Sequence, residues 1–549
     1  MTSHHHTLLR SAIALALLGC LLPSARTQQG ATKDVQVMAW NIWHGGREDG
    51  EEIGPRRVIE VIKASGADLV AMQETYGSGE LIAKGLGFHF QPRGTNVSIH
   101  SRFKIIEDIS VHKEFQCVGA LVELPNKTQL AFYSIWLPYS AEIWEAGTRD
   151  TSEPATMLAA CEASHANLQA IRNGIHERLS GKEYDDVPIV IAGDFNSMSH
   201  LDYGEVGWGQ YEAVVDWPTG HVLIDEGFVD SYRACNPHID RVTDSTWTPR
   251  FPTQEQDRID FIFSRDSRSK TTIARPSASR VIRDHAKKFP SDHAAVVSTL
   301  RISKQTSAAA SSPQPLRVVS YNIKHGQGMD GRVDLPRIAD VLKKTRPDFV
   351  GLQEVDLRAT RSGKSNQVND LAKMLSMHPG FGSFMNYQGG RYGMAILSRF
   401  PLRNVQSLRL PDGNEPRIAL IAEAQLPNQA TVLLVNVHFD WVANDELRFA
   451  QATKLRDHLR AQKKPYILLG DFNDDPESRT LALFDQIAVR TEKPKDDRMT
   501  FSSTKPEREI DFIFCSPARA WRIGRVEVIT EPVASDHRPV VAEMVLRTR

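Results

Sequence analysis

Acidic, amide and imidazole side chains recur in the same order in the two halves of this 549-residue chain. Each acidic residue falls where an apolar run, predicted to be a buried strand, meets a loop. An acid in that place costs free energy unless it is paired or bound to a metal ion. Its recurrence in both halves argues against a simple capping role. The recurring residues are Asn41, Glu74, Asp194, Asn196, Asp260, Asp292 and His293 in the first half, and Asn322, Glu354, Asp471, Asn473, Asp511, Asp536 and His537 in the second.

These residue types are suited to the metal-assisted hydrolysis of phosphoesters. Carboxylate and amide oxygens without cysteine favour a hard cation such as Mg²⁺ or Mn²⁺. An aspartate beside a histidine suits proton transfer, and asparagine together with a second histidine, such as His438, suits hydrogen bonding to a phosphoryl oxygen. The sequence contains neither a GxSxG elbow nor a GxxxxGK loop, so serine-esterase and P-loop chemistry are excluded.

The motifs around these residues indicate a tandem duplication. Five matches follow one another in order, and the pairs are residues 38–42 with 319–323, 68–74 with 348–354, 192–196 with 469–473, 259–263 with 510–514, and 291–293 with 535–537. The segment 304–315, rich in Ser, Ala and Pro, has the composition of a linker. We therefore predict two domains, at residues 34–303 and 316–549. The first carries an insertion between Met198 and Arg258.

The elements that must position the polar residues alternate in type along the chain. Apolar runs predict strands, and helical periodicity predicts helices between them. The predicted strands are 35–40, 69–73, 189–192, 317–321, 349–353, 432–437 and 466–469, and the predicted helices are 57–64, 336–344, 368–375 and 446–459. Alternation of this kind is typical of a layered α/β protein, with the site residues at the strand ends.

Both halves resemble the endonuclease/exonuclease/phosphatase superfamily, which includes deoxyribonuclease I, exonuclease III-type nucleases and neutral sphingomyelinases. The resemblance rests on the ordered motifs LQE, GDFN, IDFIF and SDH and covers nearly all of the chain after residue 33. It implies an α/β fold in which each half is a four-layered sandwich, with two packed mixed β-sheets flanked by helices. It also implies one site at an edge of the sheets in each half.

The resemblance further implies a role for each motif residue. In the second half, Asp471 would activate the attacking water, Asn473 would hold the phosphate, and His537, supported by Asp511, would contact the scissile group. His438 would be the second histidine of the deoxyribonuclease and sphingomyelinase branches. Asp194, Asn196, Asp260 and His293 are the catalytic counterparts in the first half; the implied metal ligands are Asn322, Glu354 and Asp536 in the second half and Asn41, Glu74 and Asp292 in the first.

One position departs from the pattern, because Trp136 in the first half aligns with His438 in the second. An indole has a single N–H donor and does not take up a proton. The first half is therefore expected either to act on a different substrate or to be a non-catalytic binding module. Arg417, His44 and His325 are further candidates for substrate contact, with solvated surface roles as the alternative.

Several substrates remain open from the sequence. A composition of 41% apolar and 24% charged residues is that of a globular protein and excludes a disordered chain. An excess of basic residues in the second half favours a nuclease or phosphodiesterase, although no basic stripe is present. The alternatives are a lipid head group, as in sphingomyelinases, and a small organophosphate.

The N-terminus predicts export. Arg10 precedes an apolar stretch that ends near Ala25, so residues 1–25 are interpreted as a signal peptide of a periplasmic or secreted protein. Lipid attachment at Cys20 is the alternative. After residue 25 no apolar run is long enough to cross a membrane, so no transmembrane segment is expected in the mature chain.

Overall fold

The computed structural model describes residues 33–140, 143–144, 154–304, 315–426 and 430–547. The predicted signal peptide at 1–25, with Cys20, and residues 305–314 of the predicted linker lie outside the described residues. Within the described ranges no helix is both long and apolar enough to span a membrane. The four cysteines of these ranges, Cys117, Cys161, Cys235 and Cys515, are free thiols.

The first half contains twelve strands and eight α-helices among its described residues. The strands are β1 Lys33–Asn41, β2 Leu69–Gln73, β3 His89–Arg93, β4 Val97–Ser101, β5 Lys104–Asp108, β6 Cys117–Glu123, β7 Gln129–Trp136, β8 Ile189–Asp194, β9 Val229–Asp230, β10 Asp260–Arg265, β11 Thr272–Ile282 and β12 Ala295–Lys304. The helices are α1 Ile53–Ser65, α2 Gly79–Leu86, α3 Pro154–Ala160, α4 Glu162–Arg178, α5 Trp208–Tyr211, α6 Pro218–Ile224, α7 Ser231–Cys235 and α8 Arg241–Asp244.

The described residues of the second half contain the same twelve strands but only four α-helices. The strands are β13 Leu316–Asn322, β14 Phe349–Leu357, β15 His378–Tyr387, β16 Gly390–Ser398, β17 Leu402–Arg409, β18 Ile418–Gln425, β19 Thr431–His438, β20 Tyr466–Asp471, β21 Val489–Arg490, β22 Asp511–Ser516, β23 Trp521–Val528 and β24 Val540–Leu546. The helices are α9 Leu335–Thr345, α10 Gln367–Leu375, α11 Glu446–Arg460 and α12 Arg479–Asp485.

Each half is built from two six-stranded mixed sheets. In the first half the strand orders are β11-β12-β1-β2-β4-β3 and β5-β6-β7-β8-β10-β9. In the second half they are β23-β24-β13-β14-β16-β15 and β17-β18-β19-β20-β22-β21, which is the same topology. The predicted α/β class, with flanking helices and a tandem copy, is confirmed.

The central strands are apolar along their whole length because they are covered on both faces. Every residue of β2 is buried, as is every residue of β8 and β20. One face of each sheet contributes to a core between the two sheets, and the other face packs against helices such as α1 and α9. A continuous apolar run was thus the correct signal for these strands. It leaves their polar ends as the only sites for chemistry.

The insertion in the first half includes the short helices α5, α7 and α8 and joins the two halves, whereas α6 is the counterpart of α12. Val206 and Ile239 are buried in the same apolar cluster as α9, α10 and β14 of the second half. The side chain of Asn369 accepts a hydrogen bond from the backbone N–H of Ile239 at 2.8 Å and donates one to its carbonyl at 2.9 Å. The guanidinium of Arg391 lies 4.5 Å from the ring centre of Trp208. The insertion therefore acts as a docking element between the halves.

Candidate active sites

Parallel and antiparallel pairing brings the motif residues of each half to one edge of the sheets. His438 at the end of β19 is the register partner of Asp471 at the end of β20, which in turn pairs with Asp511 at the start of β22. The same pairings in the first half join Trp136, Asp194 and Asp260. Trp136 therefore occupies the backbone position of His438, as the sequence alignment predicted.

The glycine of the GDFN motif permits this close arrangement. Gly470 has a φ of +148°, and a Cβ on it would lie 2.0 Å from the carbonyl oxygen of Val437. Gly193 has a φ of +149°, and its Cβ would lie 2.0 Å from the carbonyl oxygen of Ile135. Only glycine can occupy such a position. The motif glycine thus lets the aspartate strand pack against the neighbouring strand.

Backbone strain marks the same places. Glu74, Asn196, Glu354 and Asn473 all have positive φ values, between +43° and +55°. Non-glycine residues adopt this region at a cost and cluster at functional sites when they do so. The positive φ occurs at the same motif positions in both halves. It turns the carboxylate and amide groups away from the direction of the strand.

An asparagine links two carboxylates in each site. The Asn322 Nδ2 donates to Glu354 Oε1 at 3.0 Å and to Asp471 Oδ2 at 3.1 Å, while its Oδ1 accepts from the backbone N–H of Lys324 at 3.1 Å. In the first half Asn41 makes the same bonds to Glu74 and Asp194, both at 3.1 Å. The asparagine side chain therefore orients both acids. The predicted role of the two asparagines as metal ligands stays a prediction.

The aspartate and asparagine of GDFN are also bound to each other. In the second half the backbone N–H of Asn473 donates to Asp471 Oδ1 at 2.9 Å, and its Nδ2 donates to the carbonyl of Phe439 at 3.0 Å. Asn196 makes the corresponding contacts to Asp194 and Leu137. With the amide tied down in this way, Asp471 and Asp194 are held in one orientation.

A buried histidine joins two aspartates in each half. His537 Nδ1 lies 2.9 Å from Asp511 Oδ2, and its Nε2 lies 3.5 Å from Asp471 Oδ2. Burial alone would lower the pKa of His537, but Asp511 and Asp471 outweigh it and raise the pKa to about 10. This imidazole is therefore a cation at neutral pH, held by Asp511 and directed at the site.

The first half repeats this arrangement. His293 Nδ1 lies 2.9 Å from Asp260 Oδ2, and its Nε2 lies 3.9 Å from Asp194 Oδ2. The two aspartates outweigh burial and raise the pKa of His293 well above its usual value. Burial likewise raises the pKa of Asp194 and of Asp471, although the neighbouring histidine opposes the rise. A carboxylate with a raised pKa is a better proton acceptor near neutral pH.

His438 and Arg417 complete the second site. His438 is buried, with Nε2 3.6 Å from Asp471 Oδ2. Burial lowers the pKa of His438 well below its usual value, and the charges of Arg417 and His537 lower it further. Arg417 is 1% exposed, and two of its guanidinium nitrogens, like His438 Nδ1, have no hydrogen-bond partner among the described residues. Arg417 Nη1 lies 3.2 Å from Glu415 Oε2, at the distance of an ion pair.

The two predicted loop histidines flank the carboxylates. The backbone N–H of His44 donates to Glu74 Oε2 at 3.0 Å, and its exposed ring contacts Glu48, with Nδ1 to Oε1 2.7 Å. His325 occupies the equivalent chain position, three residues after Asn322, and its carbonyl accepts a hydrogen bond from Gln367. Burial lowers the pKa of His325 to about 4, and Arg361 contributes to this shift.

The donor set in each site suits a divalent cation. Burial raises the pKa of Asp292 to about 6, and the negative charge of Glu74 adds to the rise although His293 opposes it. In the second half the counterpart of Asp292, Asp536, already has a positive charge beside it, since Lys324 Nζ is 3.1 Å from Asp536 Oδ2. The interaction of Glu74 with Asp292 is that of two carboxylates that attract a cation, and the predicted metal ligands Glu354 and Asp536 are their counterparts in sequence.

A second grouping of potential ligand atoms lies deeper in each site. In the first half it comprises Asp194, Asp260 and His293, and in the second Asp471, Asp511 and His537, with ligand atoms within 4.8 Å of one another. These carboxylates already bind the histidine, and the predicted division between a proton-transfer group and outer metal ligands stays a prediction. The identity of the ion is not fixed by the donor atoms.

Sequence reasoning missed Lys324, and it missed two serines that brace the sites. Ser535 Oγ donates to the carbonyl of Asn322 at 2.7 Å, and Ser291 Oγ does the same for Asn41. The serines open the SDH motifs, so their repetition was a usable signal. Lys324 lies two residues after Asn322. Its counterpart in the first half is Trp43, so a comparison that selects identical residues in the two halves does not select Lys324.

A comparison with known proteins identifies the family. The family model described as "Endonuclease/Exonuclease/phosphatase family" matches residues 38–293 and again residues 319–537. The chain belongs to this family. Members are metal-dependent hydrolases of phosphoesters, and the two matched segments contain every motif residue described above.

Relatives in the family match one half of the chain. The uncharacterized protein F14F9.5 of Caenorhabditis elegans is 27% identical over 296 residues, which are 50% of this chain and 93% of that protein. The uncharacterized protein YbhP of Escherichia coli strain K12 is 26% identical over 246 residues, 42% of this chain and 95% of that protein. Both relatives are thus similar in length to a single copy.

Two solved structures are similar to part of the chain. A family member from Bacteroides thetaiotaomicron is 20% identical, with a TM-score of 0.37, and covers 43% of this chain and 100% of that chain. The mannosyl-6-phosphatase Bt3783 of Bacteroides thetaiotaomicron VPI-5482 is 21% identical, with a TM-score of 0.35, and covers 42% and 100%. Identities this low bear on the fold alone.

Proposed function

We propose that the chain is a metal-dependent hydrolase of phosphoester bonds with one catalytic centre in each half, acting most readily as a nuclease or phosphodiesterase. The observation that carries the proposal is the repeated buried arrangement of aspartate, histidine and aspartate beside an asparagine-bound glutamate. Isolated acids at strand ends have structural explanations, but a duplicated network that places a cationic imidazole next to a basic carboxylate is suited to proton transfer at phosphorus.

In the second half, a divalent cation held by Glu354 and Asp536 would supply positive charge at the phosphoryl oxygens. Asp471 accepts a proton from water as the water oxygen forms a bond to phosphorus. The bond between phosphorus and the departing oxygen breaks, and that oxygen takes a proton from solvent. His537, kept protonated by Asp511, donates a hydrogen bond to a non-bridging oxygen throughout.

Arg417 and His438 support activity in the second half in particular. The ion pair of the buried Arg417 with Glu415 leaves guanidinium N–H groups that a substrate phosphate would satisfy. His438 is neutral because its pKa is lowered, so it donates one hydrogen bond without adding repulsion between cations. The first half retains the inner acids and His293 but has Trp136 in this place, so we propose that it hydrolyses a different phosphoester.

The test is hydrolysis by the full chain with Mg²⁺ or Mn²⁺, using bis-p-nitrophenyl phosphate, p-nitrophenyl phosphate, plasmid DNA and sphingomyelin. The variants are Asp471→Ala, Asp194→Ala and the double substitution, with Asp340→Ala as a control because its carboxylate is 68% exposed and pairs only with Lys343. We expect each single variant to lose one activity and the double variant to lose all. Hydrolysis that survives in the double variant, or that persists in excess EDTA, contradicts the proposal.

Export is a separate proposal. It is supported by the sequence of residues 1–25, in which a basic residue precedes an apolar stretch. Expression in a Gram-negative host followed by mass determination tests it: a chain shortened near Ala25 and recovered outside the cytoplasm supports cleavage, whereas a lipid-modified Cys20 identifies a lipoprotein. An intact chain that stays in the cytoplasm contradicts both.

A further inference from the structure

Four equivalent positions around the two sites carry different chemistry in the two halves. Two of the pairs lie two residues after the shared asparagine and two residues after the shared glutamate. The other two pairs are aligned by the strand register. Cys117 pairs with Ile135, and Ala419 pairs with Val437, so the residues two positions before Cys117 and Ala419 correspond. The four pairs are Trp43 with Lys324, Tyr76 with Asp356, Phe115 with Arg417 and Trp136 with His438.

In the first half all four are aromatic, and they lie on two sides of the carboxylates. Trp43 is fixed by its backbone N–H, which donates to Asn41 Oδ1 at 3.0 Å. The Tyr76 ring lies 6.0 Å from the ring of His44, whose backbone N–H donates to Glu74. Both rings therefore flank the outer, metal-binding side of the site.

The other two aromatic residues flank the inner side. Trp136 is the register partner of Asp194, and its ring lies edge-on to Phe115 with 5.4 Å between centroids. The Phe115 carbonyl accepts from Asn96 Nδ2 at 2.9 Å, and Asn96 Oδ1 accepts from the backbone N–H of Glu74, also at 2.9 Å. This bridge ties the position of Phe115 to that of the glutamate.

Trp43, Tyr76 and Trp136 are half-buried, and two other aromatic rings of this region are exposed. Phe115 is 41% exposed, and Phe251, which lies edge-on to Trp43 at 5.8 Å, is 37% exposed. Large aromatic side chains left in water beside a polar site mark a surface that a ligand covers. Because the Trp136 and Phe115 rings stand at 88° to each other, a flat ligand ring that stacks on the face of one meets the other edge-on.

The second half has charge where the first has rings. Lys324 Nζ contacts Asp536, and Asp356 forms paired hydrogen bonds of 2.8 Å with Arg361. Arg417 adds a buried cation beside His438. Such a site favours a compact, strongly anionic phosphate. By contrast, the first site has Arg250 nearby. Its guanidinium is paired with Asp49 and lies 5.1 Å from the centre of the Trp43 ring.

We propose that the first half binds phosphoesters whose phosphate carries a flat aromatic group, of the nucleobase kind, which stacks on Trp136 and Phe115. The inference rests on the proposed function for the position of the phosphate at Asp194 and His293. It adds the class of group that must lie next to that phosphate. Stacking of one base on an aromatic side chain corresponds to a preference of roughly 5- to 150-fold.

The test compares two ligands that differ only by a base, adenosine 5′-monophosphate and ribose 5-phosphate. They are titrated calorimetrically into the full chain carrying Asp194→Asn and Asp471→Asn, with Mn²⁺ present, so that binding is measured without turnover. We expect adenosine 5′-monophosphate to bind one site more tightly by roughly 5- to 150-fold. Adding Phe115→Ala and Trp136→Ala should abolish this preference and leave the affinity for ribose 5-phosphate unchanged.

The matched control is Trp441→Ala, because Trp441 is a 59% exposed tryptophan that follows His438 by three residues in the second half. It should keep the preference. Phe115→Arg with Trp136→His, which copies the second half, is the second variant in case the alanine variant unfolds, and thermal unfolding is recorded for all. Equal affinity for the two ligands, or a preference that survives in both variants, overturns the inference.

This outcome is distinct from failure of the proposed function. A chain that hydrolyses no phosphoester but prefers the base-bearing ligand through Phe115 and Trp136 keeps the stacking site and refutes catalysis. A chain that hydrolyses phosphoesters without preferring the base-bearing ligand refutes the stacking site and keeps the proposed catalysis.

Discussion

The two halves share the hydrogen-bonded asparagine, acids and histidine of each site, here called the inner network. They differ at four surrounding positions, here called the rim. The distance from His Nδ1 to the supporting aspartate is 2.9 Å in both, and the asparagine donates to its two carboxylates at 3.0 or 3.1 Å in both. Around this network, Trp43, Tyr76, Phe115 and Trp136 of the first half correspond to Lys324, Asp356, Arg417 and His438.

The difference shows which parts of the site are free to vary. Inner residues are buried and hydrogen-bonded to one another, so changing one leaves its partners unsatisfied at a cost of about 1–3 kcal/mol for each group. The rim side chains lie outside this hydrogen-bonded network, although Asp356, Arg417 and His438 are buried, so changing them leaves no inner residue unsatisfied. Duplication followed by divergence of the rim yields two sites with one chemistry and two preferences.

The largest effect is expected from breaking the shared network. Asp511→Asn removes the charge that keeps His537 protonated, and the amide favours the wrong tautomer of the ring. We expect kcat for the substrate of the second half to fall by roughly 10²–10⁴-fold, with the activity of the first half unchanged. Steady-state kinetics on both substrates measure this, and Asp260→Asn should give the mirror image. Equal loss of both activities from either variant would refute two independent centres.

Replacing the rim cation should affect binding more than catalysis. Arg417→Met removes a charge-assisted hydrogen bond to phosphate, so KM for an anionic substrate of the second half should rise roughly 10- to 150-fold. The change also removes the ion pair of Arg417 with Glu415, so the free energy of unfolding is measured beside KM to separate an effect on stability from an effect on binding. Arg399→Ala, whose side chain is 60% exposed, is the kinetic control. An unchanged KM contradicts a phosphate-binding role for Arg417.

The insertion, which only the first half carries, can be tested through its contact with the second. Asn369→Ala removes both hydrogen bonds to Ile239 and leaves buried backbone groups unpaired, which should cost about 1–3 kcal/mol. Calorimetry should show the two halves unfolding further apart in temperature. The exposed Asn386→Ala is the control, and transitions at unchanged temperatures would mean that these two hydrogen bonds do not couple the halves.

The smallest expected effect is on the free energy of unfolding at acid pH. His100 in β4 corresponds to Leu397 in β16, so only the first half has a buried histidine at this position. Burial lowers the pKa of His100 from 6.5 to about 3. The unfolded chain therefore binds the extra proton between pH 6.5 and about 3, and stability is lost as the pH falls through that window.

The expected slope from this one group is about 1.4 kcal/mol per pH unit. His100→Leu should reduce the loss of stability of the first half between pH 7 and pH 5, as measured by urea unfolding at both values. His44→Leu, on an exposed loop, is the control. An unchanged pH dependence in His100→Leu would show that other groups dominate acid unfolding.

Much of the site was predictable because duplication doubles the signal. A single aspartate before an apolar run has many explanations, but Asp194 and Asp471 occur in the same motif, as do Asp260 and Asp511. The predicted strands 69–73 and 466–469 became β2 and β20 with only the end of β20 extended, because fully buried strands are continuous apolar runs. The chain itself therefore determined the class of fold, the tandem copy and the inner residues.

Contacts between segments distant in sequence could not be predicted in this way. The approach of Lys324 to Asp536, the pairing of Phe115 with Trp136 and the docking of Ile239 on Asn369 join residues that no shared motif connects. Only the folded structure decided them, since they depend on how loops leave the sheet edge and on which surface the insertion meets. Local sequence determines which strands form and where polar ends fall; tertiary packing determines which side chains surround the phosphate.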